Sequence, residues 1–327
     1  MFVRINKIIG DIIEARAFPA LLFLAFLLFA LLYAFVFDAP DDFPYGSFVI
    51  VPEGAPLSVI SEQLEGSKIV RSGLSFQWFV RMFAGERGVI AGQYYFEEGE
   101  TVFGVMSRVL TGDYKLDPVR VLIPEGATVA DIATILEAIL IDFDTDAFLI
   151  LAKSEEGYLF PDTYYFLPTD GPRQVITRMK ENFIEKISTT APAIKDFGES
   201  VHDVVVMASL LEKEARTMET REVIAGILWK RLKDGMPLQV DAVFPYINGK
   251  NTFQLSLEDL QVDHPYNTYT RKGLPPGPIA NPGLDAIIAA INPEDTPYYF
   301  YLSDKEGMMH YARTFDGHLA NKARYLR

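Results

Sequence analysis

One stretch of the chain has no polar period at all. From Phe18 to Phe37, "FPALLFLAFLLFALLYAFVF" carries neither a charge nor a strongly polar group, and about 20 such residues match the hydrocarbon core of a bilayer when helical. The pattern predicts a transmembrane helix over 18–37, with Pro19 suited to its first turn. Arg4, Lys7 and Arg16 precede the run, whereas Asp38, Asp41 and Asp42 follow it. That asymmetry predicts a cytoplasmic tail over 1–17 and places everything after 37 on the periplasmic or extracytoplasmic side of the cytoplasmic (inner) membrane. A cleaved signal peptide is the competing expectation, but the run exceeds the roughly 7–15 residues of a signal-peptide core and no A-x-A site follows it. Residues 38–46, "DAPDDFPYG", are acidic and Pro-bearing and read as a linker.

Beyond the linker the apolar positions become periodic, and the period repeats. "VIVPEGAPLSVISEQL" at 49–64 aligns without gaps on "VLIPEGATVADIATIL" at 121–136. Each copy predicts a short strand, a turn at Glu-Gly and an amphipathic helix. After the first copy, Ser72 or Ser75 can start a second helix through "FQWFVRMF", and "AGQYYFEEG" supplies a strand near 92–96. The order is then strand, helix, helix, strand, closed by a helix near 101–110, so 47–117 reads as one module. Residues 118–154 form a second segment carrying the repeat. The repeat is open to two readings, a packing unit used twice or a glycan-binding module of the LysM type, which has this β-α-α-β order.

From about residue 155 the texture changes. Helices are predicted over 174–187, over 203–217 with Asp203 as N-cap, and over 219–235 with Gly235 as its stop. "MPLQVDAVF" reads as a strand. The Pro-, Gly- and Asn-rich stretch 264–283 is too long for an idle connection and reads as a functional loop. A helix "GLDAIIAAI", strands "YYFYLS" and "MHYAR" and a helix from about 316 complete the chain. The whole predicts an α+β fold: an N-terminal transmembrane helix, LysM-like modules, then a mixed α/β domain over 155–327.

Composition narrows the chemistry. A net charge of −14 repels phosphate backbones, and no basic run with interleaved aromatics overrides it, so nucleic acid is not expected as a partner. The chain has no cysteine, and its histidines, His202, His264, His310 and His318, lack ligand spacing. No metal or other cofactor is expected.

The stretch with the most chemical content is "VVVMASLLEKEA", 204–215, an apolar run that ends in Glu212, Lys213 and Glu214. On a helix Glu212 shares the face of Val205, Ala208 and Ser209, while Glu214 lies near Leu210, Leu211 and Met218. One account is a surface ion pair between Glu212 and Arg216 one turn on, worth about 0.3–0.5 kcal/mol. The other is a carboxyl among small apolar side chains, its pKa raised by desolvation and ready to donate a proton.

The strings "GYLFPDTY", "ASLLEKEA", "RLKDGMPLQVD", "PYNTY", "GLPPGPIANPG", "AINPEDTPYYFYLSD" and "HYARTFDGHLANKARY" stand in the order found in MltG-type (YceG-like) endolytic murein transglycosylases, which this chain resembles over essentially its full length. The resemblance implies an N-terminal membrane helix, a LysM-like region and a catalytic region over 155–327. It implies cleavage of peptidoglycan glycan strands between N-acetylmuramic acid and N-acetylglucosamine with formation of 1,6-anhydro ends, Glu212 being the catalytic acid, and association with peptidoglycan synthases. Gln239, Asp241, Tyr266, Asn267, Thr268 and Tyr269 offer the groups that line a sugar cleft, although Asn267, Thr268 and Asp241 can equally fix a loop through local hydrogen bonds. Asp162 and Thr163 are expected to shape a turn near that cleft, and His310 and His318 to support the C-terminal strand and helix or to touch substrate. The chain departs from the family's pattern at "WKRL", at "LQVDAV" and at His264. Two other activities fit the same residues: a non-catalytic peptidoglycan-binding scaffold, and a hydrolytic muramidase with Glu214 or Asp241 as second carboxylate.

Overall fold

The computed structural model describes residues 19, 21–30, 33–85, 88–250 and 254–326. Residues 21–30 are helical with exposed apolar side chains, and Tyr33–Phe37 forms a π-helical turn. Among the described residues no helix is long and apolar enough to cross a membrane; the expected tail over 1–17 and positions 18, 20, 31 and 32 of the expected span lie outside the described residues. The chain divides into two compact units, Met1–Asp117 and Pro118–Arg327.

The first unit runs β1 (Ser47–Val51), α1 (Leu57–Gly66), α2 (Gly73–Ala84), β2 (Gly92–Phe96) and α3 (Val102–Thr111). Alternation in β1 places Val49 and Val51 in the core, and β1 pairs antiparallel with β2 so that Val49 faces Tyr94. Ser72, not Ser75, caps α2, accepting from Ser75 N at 3.3 Å. Arg108 is buried inside this unit, donating to Glu100 Oε1, the Tyr95 carbonyl and the Asp113 carbonyl at 2.7, 2.7 and 2.9 Å. A buried guanidinium is tolerable because its donors are met in this way.

The second unit opens with the same order: β3 (Val119–Leu122), α4 (Val129–Glu137), α5 (Thr145–Ala152) and β4 (Thr163–Phe166). Again the pair is antiparallel, and Val121, the counterpart of Val49, faces Tyr164. The strand that completes this second copy therefore comes from the "FPDTYYF" string, beyond residue 154. Its Tyr164 hydroxyl donates to the carbonyl four residues back, Phe160, at 2.6 Å, as Tyr94 does to Ile90 at 2.7 Å.

Three helices follow, α6 (Pro172–Phe197), α7 (Val201–Glu214) and α8 (Met218–Lys233), then the short α9 (Phe244–Asn248) and α10 (Leu284–Ile291). Ser200, not Asp203, caps α7: its hydroxyl accepts from Asp203 N at 3.0 Å and donates to the Asp203 carboxylate at 2.6 Å. Every residue of α7 from Val204 to Leu211 is buried, because α8 and α10 pack on its faces. The expected strand in "MPLQVDAVF" does not form; the segment is irregular to Val240, and Asp241–Val243 makes a 3₁₀ turn. Its amides go to Thr268 instead of a ladder, Gln239 N to the carbonyl at 3.0 Å and Val240 N to the hydroxyl at 2.9 Å. Gln239 itself has φ +54°, outside the extended region. Residues 264–283 form the expected loop, and β5 (Phe300–Ser303), β6 (Met309–Ala312) and α11 (Phe315–Tyr325) close the chain. His310 bonds Asp304 at 2.8 Å and stacks on Tyr325, and His318 stacks on Phe300.

Close approach fixes the segment after α10. Trp229, Lys230 and Arg231 of α8 donate to the carbonyls of Ala290, Thr296 and Tyr299, and a side chain at Gly226 would overlap the Glu294 carbonyl. Gly226→Ala is expected to lower stability by about 1–3 kcal/mol, exceeding the roughly 1 kcal/mol that alanine gains in a helix. Urea unfolding of the two proteins measures this, and an unchanged midpoint would refute the packing constraint.

Candidate active site

Glu212 occupies the last turn of α7, where the helix leaves its apolar packing. Its side chain is only 6% exposed, so the carboxyl must find partners within the protein. Arg221 of α8 donates from Nη2 to Oε1 at 2.6 Å and from Nε to the Ala215 carbonyl at 3.1 Å. Gly283, at the head of α10, donates its N–H to Oε2 at 3.0 Å. The ion pair is thus formed with Arg221, not with Arg216, which is exposed. Each oxygen has accepted one bond and retains a second lone pair.

The wall over this carboxyl is the Pro-Glu-Gly-Ala turn of the second repeat. Gly126, at φ +73°, comes so close that a Cβ there would stand 3.3 Å from Glu212 Cγ, and a Cβ on Gly283 would collide with the Glu125 carboxyl. Two glycines therefore let the turn, the loop and the acid meet. Burial raises the Glu212 pKa; the Gly283 N–H and the Arg221 charge oppose that, Glu125 adds to it, and Lys213 lowers it. The net direction is upward, so desolvation outweighs the ion pair.

A second buried carboxyl holds the frame. Glu156 accepts from Val129 N at 3.1 and 3.2 Å and from Asn281 Nδ2 at 3.0 Å. Asn281, fully buried in the 264–283 loop, also donates to the Ala127 carbonyl at 2.9 Å and accepts from Leu159 N at 2.9 Å. Its backbone exchanges bonds with the same turn, Gly126 N to the Asn281 carbonyl at 2.8 Å and Asn281 N to the Ala127 carbonyl at 3.0 Å. Ser209, one turn before Glu212, accepts from Ile279 N at 3.1 Å. None of Glu125, Glu156, Arg221, Asn281 or Gly283 stands out by sequence periodicity, since each acts through a partner on another element.

The expected cleft residues occupy different settings. Asn267 and Thr268 are buried loop-fixers: Asn267 donates to the Leu260 and Val262 carbonyls and accepts from Tyr269 N, and Thr268 exchanges bonds with the Val240 backbone. Asp241 and Tyr269 form a pair, the Tyr269 hydroxyl donating to Oδ1 at 2.5 Å. Nearby Glu214 accepts from the Tyr301 hydroxyl at 3.0 Å, and burial pushes it up to about 7. Gln239 is exposed, its amide oxygen 3.3 Å from Arg231 Nη1. Tyr266 is half-buried, its ring 4.9 Å from that of Tyr246 and its hydroxyl close against Gly277. Asp162 fixes its turn as expected, accepting from Thr163 N and from Asn182.

Three comparisons bear on this arrangement. Residues 49–324 match the model of the YceG-like family. The chain is 30% identical over 305 residues to a Bacillus subtilis (strain 168) protein named endolytic murein transglycosylase, covering 84% of each. It is 29% identical over 340 residues to a Streptococcus pneumoniae (strain D39) protein of the same name, covering 90% of this chain and 62% of that one. A crystal structure of a YceG-like protein from Listeria monocytogenes superposes with a TM-score of 0.54 at 28% identity, over 84% of this chain and 99% of that one.

Burial pushes the Glu156 carboxyl up to about 7 from an ordinary 4.5. The folded state therefore binds this proton more tightly than the unfolded chain. The stabilisation is complete below about pH 4.5 and is lost as pH rises through 7, a swing of about 3 kcal/mol. Between pH 5 and 8, Glu156→Gln should lose less stability than the natural protein by about that amount; parallel urea curves for the two proteins across this range would contradict the assignment.

Proposed function

The chain belongs to the YceG-like family, and on that premise we propose that it is a membrane-anchored endolytic murein transglycosylase with Glu212 as its single general acid and base. The observation that carries the reading is the Glu212 carboxyl itself: ionisable, nearly buried, raised in pKa, and ringed by loops whose bonding serves to place it. The activity named for the relatives supplies the reaction class.

In this mechanism Glu212 protonates the oxygen bridging C1 of N-acetylmuramic acid and C4 of N-acetylglucosamine as the C1–O bond breaks. The muramic C6 hydroxyl attacks C1, and its proton passes to the Glu212 carboxylate, which restores the acid and leaves a 1,6-anhydro end. Attack within one sugar supplies the proximity that a second carboxylate would otherwise have to arrange. The Arg221 guanidinium and the Gly283 N–H stabilise the carboxylate that exists between the two proton transfers.

Asp241, Tyr269, Gln239 and the Tyr246–Tyr266 pair are the groups through which the cleft engages glycan, with Asn267 and Thr268 holding that loop in shape. The β-α-α-β module over 47–117 is read as LysM-like, and the apolar run 18–37 as a single-pass anchor that leaves the catalytic region outside the cytoplasmic membrane, near nascent strands and the synthases that make them.

Glu212→Gln keeps the side-chain shape but cannot donate the proton. It is expected to abolish release of anhydro-muropeptides from purified glycan strands. Because either Arg221 Nη2 or the Gly283 N–H must then face the Gln amide group, stability should fall by about 1–3 kcal/mol with the fold retained, which circular dichroism checks. Mass analysis of the products reads both the loss and the reaction type, because hydrolysis would leave ends heavier by one water. Undiminished anhydro product from the variant would remove Glu212 from the mechanism.

A further inference from the structure

Helix α2 is apolar on the side where a helix at a domain surface is usually polar. Phe76 and Val80 face the core and are fully buried. Opposite them, spaced four residues apart, Leu74, Trp78 and Met82 are 78%, 59% and 64% exposed, and Phe83 beside them is 64% exposed. Large apolar side chains grouped in this way mark an interaction surface, in contrast to single exposed residues.

The neighbours of the stripe identify what it meets. Trp78 packs edge-on against Phe79, with ring centres 5.0 Å apart. Phe79 lies 5.7 Å from Phe37 and 4.6 Å from Phe103, and Phe37 stacks on Phe103 at 5.3 Å. Phe37 is the last residue of the apolar run that begins at Phe18. A row of aromatic rings thus continues from the end of that run onto α2, inside one compact unit.

We propose that the Leu74–Trp78–Met82 stripe of α2 rests in the interfacial layer of the bilayer that holds the apolar run, so that lipid is its partner. The proposal rests on reading 18–37 as a membrane anchor. Tryptophan and phenylalanine beside a membrane span favour the headgroup boundary, where an apolar face is covered and the rest of the helix stays wet. Direct packing of Phe37 on the module leaves little slack between span and α2, which holds the stripe at that depth. Arg81, at the edge of the stripe, is the helix's single charge, so attachment is apolar in origin and does not require anionic lipid.

The chain has two tryptophans, Trp78 and Trp229, and Trp229 donates to the Ala290 carbonyl in the second unit. The full chain reconstituted into phosphatidylcholine vesicles, with and without bromine placed high on the acyl chains, tests the proposal. Bromolipid should quench most of the Trp78 emission, and Trp78→Phe, a change at an exposed site, should abolish the quenched fraction while leaving the remaining emission intact. Quenching in these vesicles, which carry no anionic lipid, should persist at high salt. A chain that floats with the vesicles but whose Trp78 emission is the same with and without bromolipid overturns this proposal alone and leaves a protein partner for the stripe. A chain that does not float with them overturns the anchor and this proposal together.

Discussion

The placement of one carboxyl governs much of the second unit. Glu212 is almost removed from water, and an unpaired buried charge would cost several kcal/mol, so its partners must be supplied by the fold. They come from two places, Arg221 on α8 and the Gly283 amide at the head of α10, while the Gly126 turn between β3 and α4 packs over the side chain. None of these segments is held by Glu212 alone. Ser209 ties α7 to Ile279, and Asn281 ties the same loop to Ala127, Glu156 and Leu159. The loop 264–283 is therefore irregular in backbone but tied by hydrogen bonds at its buried residues Asn267, Thr268 and Asn281, the condition under which buried irregular chain is stable. This also accounts for charge at the end of an apolar helix: seven apolar side chains and Ser209 bury α7 over 204–211 so that the next turn can carry an acid at a fixed point.

The repeat acquires meaning from the same point. Both copies fold as β-α-α-β with antiparallel outer strands in one register, Val49 on Tyr94 and Val121 on Tyr164. Both turns place glycine at nearly the same left-handed angle, φ +70° at Gly54 and +73° at Gly126. Beside Gly54 there is open space, whereas Gly126 meets Glu212 and Lys213. The same scaffold thus occurs twice, and in the second copy its turn walls a site. The second use gives Glu125 an electrostatic part, since its negative charge opposes that of Arg221 on Glu212.

What could be read from the chain follows from how local each signal is. Helices α4, α7, α8 and α10 and strands β1, β5 and β6 were visible because burial imposes a period on neighbouring residues. The second copy's closing strand carries its own signal, since Tyr94-Tyr95-Phe96 recurs as Tyr164-Tyr165-Phe166, but it lies beyond the end of the Pro-Glu-Gly-Ala alignment. "MPLQVDAVF" misled because its apolar positions are buried without being extended, its amides being taken by Thr268. Ser200 took the cap expected of Asp203 because serine can serve the N3 amide and the N3 carboxylate together. Arg221, Asn281 and Glu156 left no local trace. Arg221 meets Glu212 across the turn between two helices, and Asn281 with Glu156 and Leu159 spans more than a hundred residues.

The same helix explains why two glutamates two residues apart serve different ends. Positions 212 and 214 point about 200° apart around an α-helix, so they enter separate environments. Glu212 meets Gly283, Arg221 and the Glu125 turn. Glu214 meets the Tyr301 hydroxyl, the Ala242 amide and the charge of Asp241, next to the Tyr269–Asp241 pair. A two-carboxylate hydrolase needs its groups on opposite sides of one sugar bond, facing a common space. Glu214 leaves α7 on a different face and is engaged by a phenol and an amide of its own. That division suits the mechanism proposed above, in which one acid serves twice and the substrate's hydroxyl takes the place of water.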